Sequence, residues 1–403
     1  MTPMPKPPSL PPVNPEADDV LPSGIGELIA YGVDRPGLIP LWVGEGDRPT
    51  PDFIGEAAAR ALRDGHTFYT RMLGIPELRE AIAAYLAGVY GGGTTPDRVF
   101  VTVGGMQAFQ IALKIAARPG DEVILPTPTW PNFFGAIEAG GARRVMVPMS
   151  FAPESGWALD VERLAAAVTP RTRAIVVNSP ANPTGWTASH ADLRALLAIA
   201  RRYDLWIIAD EIYGRFSFDP AHEALGRAPS FRDVWEPEDR DRVLFVQTFS
   251  KNWAMTGWRV GWLEGPADLG RIVDGLILYG TSGVATFLQH AAVVAMREGE
   301  ALIQAQIAQA REGRRILAEG LGRLPGVELP PPAGAFYAFP RIPGEPDARR
   351  LAMRLVDEAN VGVAPGTAFG PGGEGFLRLC FARSAADLHE AVRRLAPVLA
   401  AGR

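Results

Sequence analysis

One lysine stands in an unusually apolar part of the sequence, the stretch TFSKNWAMTGWRVGW from Thr248 to Trp262. Burial of Lys251 there costs free energy unless its amine is paired or performs chemistry. Arg259 follows eight positions later, and Thr248 and Ser250 offer hydroxyl groups that suit an anion. Lys251 is therefore either one more ligand of a bound phosphate or a nucleophile whose amine forms a Schiff base. The second role needs a pKa below the ordinary value of ~10.4, and both burial and Arg259 lower it.

Three further stretches carry residues that suit the same chemistry. TVGGMQAFQ places Gly104 and Gly105 between a strand and a helix, where free backbone N–H groups suit a phosphate. NSPANPTGW holds Asn182 in a loop that two prolines make rigid. IIADEIYGRF ends a hydrophobic strand with Asp210, and Tyr213 follows it. Each stretch alone also has an ordinary explanation: a plain strand-to-helix turn, a rigid connection, and a helix N-cap or salt bridge.

The elements that carry these residues are typical of an α/β sheet. Between residues 99 and 265, short apolar runs alternate with helical patterns, and most runs are apolar throughout, as in strands buried on both faces. This alternation predicts a mostly parallel sheet with helices on both sides. Ligands of such sheets bind at the carboxyl ends of the strands, where Asp210 and Lys251 lie. Beyond residue 266 the pattern predicts helices, including one long helix over residues 292–321, and then a smaller α+β unit.

Composition narrows the classes of function. The 403 residues exceed one ordinary core, so two domains are expected, and a net charge of -5 argues against a nucleic-acid partner. No apolar run reaches the roughly 18 residues of a membrane span. A single cysteine, Cys380, and the lack of a hydrophobic signal core predict a cytoplasmic protein without a disulfide framework. The five histidines lack ligand spacing, which argues against a metal site. Residues 1–20 are interpreted as a Pro-rich, disordered tail.

Nine stretches follow one another along nearly the whole chain: GEGDRPTP, YTRMLGIPELREAI, GGMQA, PTPTWPNF, NSPANPTG, ADEIY, SKNWAMTGWRVGW, GAFYAF and PGTAFGPGGEGFLRLCFA. Together they resemble the class I/II aminotransferase family of fold-type I pyridoxal-phosphate enzymes, which is aspartate aminotransferase-like. The resemblance implies a large cofactor-binding domain over residues 51–299, with a mostly parallel mixed sheet flanked by helices. A smaller α+β domain would combine residues 21–50 and 300–403 from the two chain ends.

The resemblance implies pyridoxal 5′-phosphate as the cofactor and gives a role to each candidate residue. Lys251 matches the lysine that forms the Schiff base and then moves the proton between the substrate Cα and the cofactor. Asp210 matches the acid that pairs with the pyridine nitrogen, as an electron-accepting ring requires. Asn182 and Tyr213 match the pair that hydrogen-bonds the phenolic oxygen of the cofactor. Trp130 matches the aromatic residue that stacks on the ring.

The same resemblance implies two anion sites. A helix N-terminus, two hydroxyl groups and an arginine would bind the phosphate: Gly105, Met106, Gln107, Thr248, Ser250 and Arg259. Arg378 matches the arginine that binds the substrate α-carboxylate with two N–H groups, and the remaining substrate contacts would come from Gly44, Trp130 and Asn182. Tyr69 matches a tyrosine that reaches the phosphate from the neighbouring subunit, which implies a homodimer with shared active sites. Gly46 departs from the family, which more often has a proline there.

The resemblance therefore predicts an aminotransferase that moves an amino group from an L-amino acid to a 2-oxo acid in a ping-pong reaction. The same scaffold also hosts β-eliminating C–S lyases, and because fold does not fix function, a lyase is an alternative. A non-catalytic regulatory domain that binds the cofactor is a further alternative, although only the Pro-rich tail precedes the fold.

The amino donor is open at this stage. An acidic donor needs a second cation for its distal carboxylate, and Arg71, two residues after Tyr69, would supply it if it lies near the partner's active site. The alternative for Arg71 is a solvent-exposed arginine in a loop. Four aromatic residues could instead line an apolar or aromatic pocket: Trp130, Phe133, Phe134 and Trp186.

Overall fold

The computed structural model of the chain describes residues 24–401, so the predicted tail over residues 1–20 lies outside the described residues. The helices are α1 (Gly24–Gly32), α2 (Asp52–Arg63), α3 (Pro76–Tyr90), α4 (Gly104–Ala116), α5 (Pro131–Ala139), α6 (Val161–Ala166), α7 (His190–Tyr203), α8 (Gly270–Gly280), α9 (Thr286–Glu298), α10 (Glu300–Gly320), α11 (Ala348–Ala359) and α12 (Ala385–Ala401). The strands are β1 (Ile39–Pro40), β2 (Val99–Thr102), β3 (Glu122–Thr127), β4 (Arg143–Pro148), β5 (Ser150–Ala152), β6 (Gly156–Ala158), β7 (Thr172–Asn178), β8 (Trp206–Asp210), β9 (Val243–Thr248), β10 (Gly261–Glu264), β11 (Tyr337–Ala338), β12 (Val361–Gly362), β13 (Ala364–Pro365) and β14 (Leu377–Cys380).

A mixed sheet of seven strands organises the larger part of the described chain, in the order β2–β10–β9–β8–β7–β3–β4. The neighbours from β9 to β4 pair in parallel, whereas β10 runs antiparallel to both β9 and β2. Successive residues of a strand face opposite sides, so Val123 packs in the apolar core with α4 and α5 while Ile124 packs with α7. The predicted α/β sheet with helices on both faces is confirmed. Because β3, β7, β8 and β9 are parallel, their carboxyl ends share one edge.

Both ends of the described chain build a smaller unit beside the sheet. β1 pairs in parallel with β12, and β11, β14 and β13 form an antiparallel sheet in that order. α1, α11 and α12 pack against these strands through buried residues that include Leu28, Leu355 and Leu395. This arrangement confirms the smaller α+β unit from both chain ends. The domain boundaries at residues 50 and 300 stay a prediction.

The predicted long helix over residues 292–321 is wrong in one respect. The structure has two helices there, α9 and α10, which meet at Gly299. A Cβ at position 299 would lie 2.3 Å from the Ala295 carbonyl oxygen and 2.7 Å from the ring of Trp253. The close approach of the buried Trp253 therefore requires glycine at this position, and the helix is interrupted there.

A buried cluster of charges adjoins Asp210 through its neighbour Glu211. Arg232 pairs with Glu211 at 3.1 Å and also pairs with Glu264, and the Arg232 side chain is 5% exposed. Its guanidinium lies over the Phe245 ring, 3.5 Å from the ring centre. Two buried carboxylates thus share one arginine, and each depends on it for compensation of its charge.

We expect Arg232→Met to lower the free energy of unfolding by about 3–5 kcal/mol, because it leaves Glu211 and Glu264 buried without their cation. Urea denaturation followed by circular dichroism would measure the change. Arg315→Met is the control, since Arg315 pairs with Glu312 and Glu319 on an exposed helix surface and its loss should leave the midpoint unchanged. Equal midpoints for the two variants would contradict the prediction.

Candidate active site

The carboxyl edge of the sheet opens into a cavity of about 320 Å³. The loops after β3, β7, β8 and β9, the N-terminus of α4 and residues of the smaller unit border it. Most residues that the sequence singles out line this one cavity: Gly44, Gly105, Met106, Trp130, Asn182, Asp210, Tyr213, Thr248, Ser250, Lys251, Arg259 and Arg378.

Lys251 lies three residues after the end of β9 and lines this cavity. Its Nζ donates a hydrogen bond of 2.6 Å to the carbonyl oxygen of Gly44. Burial lowers the pKa of Lys251 to about 8. The positive charges of Arg378 and Arg259 add to this lowering of the pKa, against the opposing charge of Glu45. An amine with such a pKa can act as a nucleophile or as a base near neutral pH.

Asp210 ends β8, and its carboxyl group is buried at the cavity. Its Oδ1 accepts the backbone N–H of Ile212 at 3.2 Å. Burial raises the pKa of Asp210 to about 7. A cation that faces this carboxyl group from the cavity would lower that pKa and keep the acid ionised. The protonated ring nitrogen of a pyridine cofactor has this property.

The first anion site lies at the N-terminus of α4. Gly104 turns the chain from β2 into α4 with a φ of +71°, and a Cβ there would lie 2.4 Å from Nη2 of Arg259. Nη1 of Arg259 donates to the Thr256 carbonyl oxygen at 2.6 Å and reaches Ser250 Oγ at 3.5 Å. Thr248 Oγ1 donates to Ser250 Oγ at 2.9 Å. The start of a helix, two hydroxyl groups and a guanidinium together fit a phosphate.

The second anion site surrounds Arg378 of β14, a residue that is 3% exposed. Its Nη1 donates to Oδ1 of Asn182 at 3.2 Å, and its Nη2 donates to the carbonyl oxygen of Trp42. The guanidinium lies over the rings of Tyr337 and Phe369, at 4.8 and 5.1 Å from the ring centres. These contacts fix the plane of the guanidinium, and a carboxylate is bound by two N–H groups in such a plane.

The two arginines lack a negative partner in the described part of the chain. The hydrogen bonds of the Arg259 and Arg378 guanidinium groups go to neutral oxygen atoms. Arg378 is buried, and a buried guanidinium without a counter-charge is costly, so its natural complement is an anion from outside the chain. The exposed guanidinium of Arg259 adds a positive charge and N–H donors for an anion at the start of α4. Together with Asp210, this charge pattern fits pyridoxal 5′-phosphate and the carboxylate of an amino acid.

Tyr337 also lines the cavity, although sequence reasoning gave it no role. Its hydroxyl group lies 2.6 Å from that of Tyr213, and a Cβ on Gly44 would lie 2.2 Å from the same oxygen. Burial raises the pKa of both phenols, so both keep their protons and share a hydrogen bond. Tyr337 therefore orients Tyr213 and makes glycine necessary at position 44. The motif GAFYAF contained this tyrosine, but nothing local in the motif indicates its long-range partners.

Several candidate residues do not line the cavity, and three of them have predicted polar roles. The Gln107 side chain turns away from it, because it accepts the Val103 N–H at 2.7 Å and donates to Thr281 at 2.7 Å. Gln107 can therefore offer an anion only its backbone N–H. Tyr69 is 93% exposed, and its predicted contact with a phosphate requires a second subunit. Arg71 is exposed as well.

The model of the family described as aminotransferase class I and II matches residues 36–395. The chain belongs to this family. It is 39% identical over 378 residues to the aspartate/prephenate aminotransferase of Thermus thermophilus, with 93% of each chain covered. It is 35% identical over 386 residues to aromatic-amino-acid aminotransferase 2 of Thermococcus litoralis, covering 94% of this chain and 96% of that protein. The solved structure of Thermus thermophilus aspartate aminotransferase with maleate is similar at a TM-score of 0.87 and 35% identity, with 96% and 100% of the two chains covered.

The predicted family, fold and enzyme class are thereby confirmed: this chain is an aminotransferase, and its family uses pyridoxal 5′-phosphate. The roles of the individual cavity residues stay predictions. Among the helices between residues 24 and 401, none combines the length and the apolar character of a membrane span. Within the same residues, no group of three or more His, Cys, Asp or Glu side chains is placed to hold a metal ion.

We expect amine-reactive labelling of the cofactor-free aminotransferase to show Lys251 titrating near pH 8, because burial lowers its pKa from 10.5 to about 8. At pH 7 its uncharged fraction would be about 300-fold larger than for an ordinary lysine. Labelling rates at a series of pH values, read by peptide mass spectrometry, would measure this. Lys114 on the exposed surface of α4 corrects for changes of the reagent with pH. A labelling midpoint for Lys251 at or above pH 10 would contradict the prediction.

Proposed function

We propose that this aminotransferase uses pyridoxal 5′-phosphate to move an amino group from an L-amino acid to a 2-oxo acid. One observation carries the proposal: the Lys251 amine lies in a single cavity with the buried acid Asp210 and two arginines that have no negative partner in the described chain. An amine, an acid and two anion sites are the groups that this cofactor and an amino acid require.

In this proposal, different residues of the cavity bind different groups of the cofactor. The backbone N–H groups at the start of α4, the hydroxyl groups after β9 and one guanidinium would hold the phosphate: Gly105, Met106, Gln107, Thr248, Ser250 and Arg259. Asp210 would face the pyridine nitrogen, Asn182 and Tyr213 would hydrogen-bond the phenolic oxygen, and Trp130 would stack on the ring. When bound, the cofactor supplies an electron-accepting ring that stabilises negative charge at the substrate Cα.

Lys251 moves the proton in this proposal. Its uncharged amine takes the proton from the substrate Cα and delivers it to the C4′ position of the cofactor, and the pKa of about 8 suits both acceptance and donation. Arg378 binds the α-carboxylate with two N–H groups, beside the backbone of Gly44 and the amide of Asn182. These contacts fix the position of Cα relative to the Lys251 amine. Such positioning of the reacting groups accounts for a large part of the rate enhancement of an enzyme.

The reaction then occurs in two halves. Water would release the donor as its 2-oxo acid before the second 2-oxo acid enters, the amino group would stay with the cofactor between the two halves, and the same residues would act in the reverse order on the acceptor. Such a sequence gives ping-pong kinetics, because one product departs before the second substrate binds.

A homodimer is part of the proposal. Tyr69 and the neighbouring Phe68 are 93% and 84% exposed, and Tyr279 is 89% exposed. Large aromatic side chains on a surface are typical of contacts between proteins. In the dimer, Tyr69 would reach the phosphate site of the partner subunit. The proposed location is the cytoplasm, which the single, buried Cys380 supports.

Absorbance spectra of the cofactor-loaded protein test this proposal. We expect single L-amino acids, added without any oxo acid, to remove the visible band while an equimolar amount of 2-oxo acid appears. Addition of a 2-oxo acid alone should restore the band. Lys251→Ala should slow the conversion at least 100-fold, since a positioned base contributes that much. Lys114→Ala removes an exposed lysine outside the cavity and should convert at the parent rate.

Two outcomes would contradict the proposed function. A band that persists while an S-alkylcysteine yields pyruvate and a thiol would indicate the C–S lyase instead. Equal conversion rates for Lys251→Ala and the parent would remove Lys251 from the reaction.

A further inference from the structure

Three cations line the cavity among the described residues, and the proposed function gives a task to each. Lys251 transfers protons, Arg259 binds the phosphate and Arg378 binds the α-carboxylate. A donor such as aspartate carries one more carboxylate, and its burial requires a further cation. Between residues 24 and 401, no fourth lysine or arginine lines this cavity.

The groove beside the cavity has arginines, but they are already paired. Met106 lines both the cavity and this groove, so it forms the wall between them. In the groove, Arg144 pairs with Glu138 at 3.0 Å, and Arg349 pairs with Glu27. Neither arginine can neutralise a donor side chain without leaving a glutamate of its own chain unpaired.

Two other arginines lie at the outer surface. Arg48 is exposed and lines an outer groove, and it also borders a cavity of about 20 Å³ beside Lys251, which is too small for a donor side chain. Arg71 is exposed. It lies near Arg79, whose pKa is lowered by burial and further by the charge of Arg71. In the chain as described, neither Arg48 nor Arg71 lines the main cavity.

The remaining walls of the cavity are mainly apolar, with the amides of Asn132 and Asn178 as neutral polar groups and one carboxylate. The apolar side chains are those of Val43, Met106, Phe109, Trp130, Phe133, Ile212 and Val246. Glu45 adds a carboxylate, whose Oε2 accepts a hydrogen bond of 3.0 Å from Thr256 Oγ1. A second carboxylate of the donor would lose its water against the apolar side chains and would be repelled by Glu45.

We propose that the amino donor of this enzyme has an uncharged, largely apolar side chain, aromatic or aliphatic, which packs against Met106 and Trp130. This inference rests on the proposed function and refines it. It agrees with the apolar or aromatic pocket that the sequence analysis gave as an alternative. Of the four aromatic residues named there, Trp130 and Phe133 line the cavity, whereas Phe134 and Trp186 border other pockets. It gives no donor-binding role to Arg71, which is exposed in the single chain, and it separates this chain from a preference for aspartate.

Two unreactive carboxylates test the inference without turnover. 3-Phenylpropanoate has one carboxylate and an apolar group, whereas succinate has two carboxylates. Isothermal titration calorimetry on the cofactor-loaded protein should give a dissociation constant at least about 100-fold lower for 3-phenylpropanoate. Equal affinities, or tighter binding of succinate, would overturn the inference.

Substitutions at Met106 test the position of the donor side chain. Met106→Lys keeps the length of the side chain and adds the missing cation, so we expect the preference for 3-phenylpropanoate over succinate to fall at least tenfold. Met106→Leu is the matched control, and its preference should stay within about twofold of the parent's. An unchanged preference in Met106→Lys would overturn the inference, because it places the donor against Met106.

The rates at which single amino acids react with the cofactor-loaded protein, without any oxo acid, test the inference separately from the proposed function. We expect L-phenylalanine, L-leucine or L-methionine to react at least about 100-fold faster than L-aspartate, L-glutamate or L-lysine. Fastest reaction with a charged donor would overturn the inference and leave the proposed function intact. Arg48→Ala and Arg71→Ala would then identify the cation responsible for an acidic donor. Reaction with none of these amino acids would contradict the proposed function, and the calorimetry alone would decide the inference.

Discussion

The arrangement of charges in the cavity depends on one requirement, that the Lys251 amine can lose its proton near neutral pH. Burial lowers the pKa of Lys251 to about 8, and the charges of the two nearby arginines add to the lowering. The two arginines also form the anion sites of the cavity. A carboxylate partner for Arg259 or Arg378 would fill an anion site and also weaken the repulsion that lowers the pKa of the amine. The absence of such partners in the described chain therefore serves two ends, because the arginines stay available to ligands while they tune Lys251.

The pKa of Asp210, in the same cavity, is shifted in the opposite direction to that of Lys251. Burial raises the pKa of its carboxyl group to about 7, although the charge of Lys251 opposes the rise, so an ionised Asp210 needs a further cation for compensation. A ring nitrogen that carries a proton would provide that compensation, and two anionic ligand groups would do the same for the arginines. The buried Asp210 and Arg378 and the exposed Arg259 thus lack the charges that a pyridine ring with a phosphate, together with an amino acid, supplies. This complementarity is stronger support for the cofactor than any single contact.

The sheet and the edge at which the candidate residues meet could be predicted, because apolar runs of β-branched residues and the turns after them are local signals. Asp210, Asn182 and Lys251 follow strands that are parallel, so their convergence follows from topology. The interruption at Gly299 and the contact between Tyr337 and Tyr213 could not be predicted, since both depend on residues distant in the sequence. The resemblance implied the two anion sites, but the lack of a carboxylate partner at either arginine could not be predicted, because it depends on which side chains meet in the fold.

The donor site joins the smaller unit to the sheet. Arg378 of β14 donates to Asn182 after β7 and to the carbonyl oxygen of Trp42, and Lys251 after β9 donates to Gly44. A carboxylate forms stronger, charge-assisted hydrogen bonds with a guanidinium than these neutral oxygen atoms do. The bond to Asn182 joins the smaller unit to the loop after β7, the bond to Trp42 lies within the smaller unit, and both fix the guanidinium plane at the proposed donor site. One guanidinium thus takes part both in the contact between the two parts and in the proposed donor site.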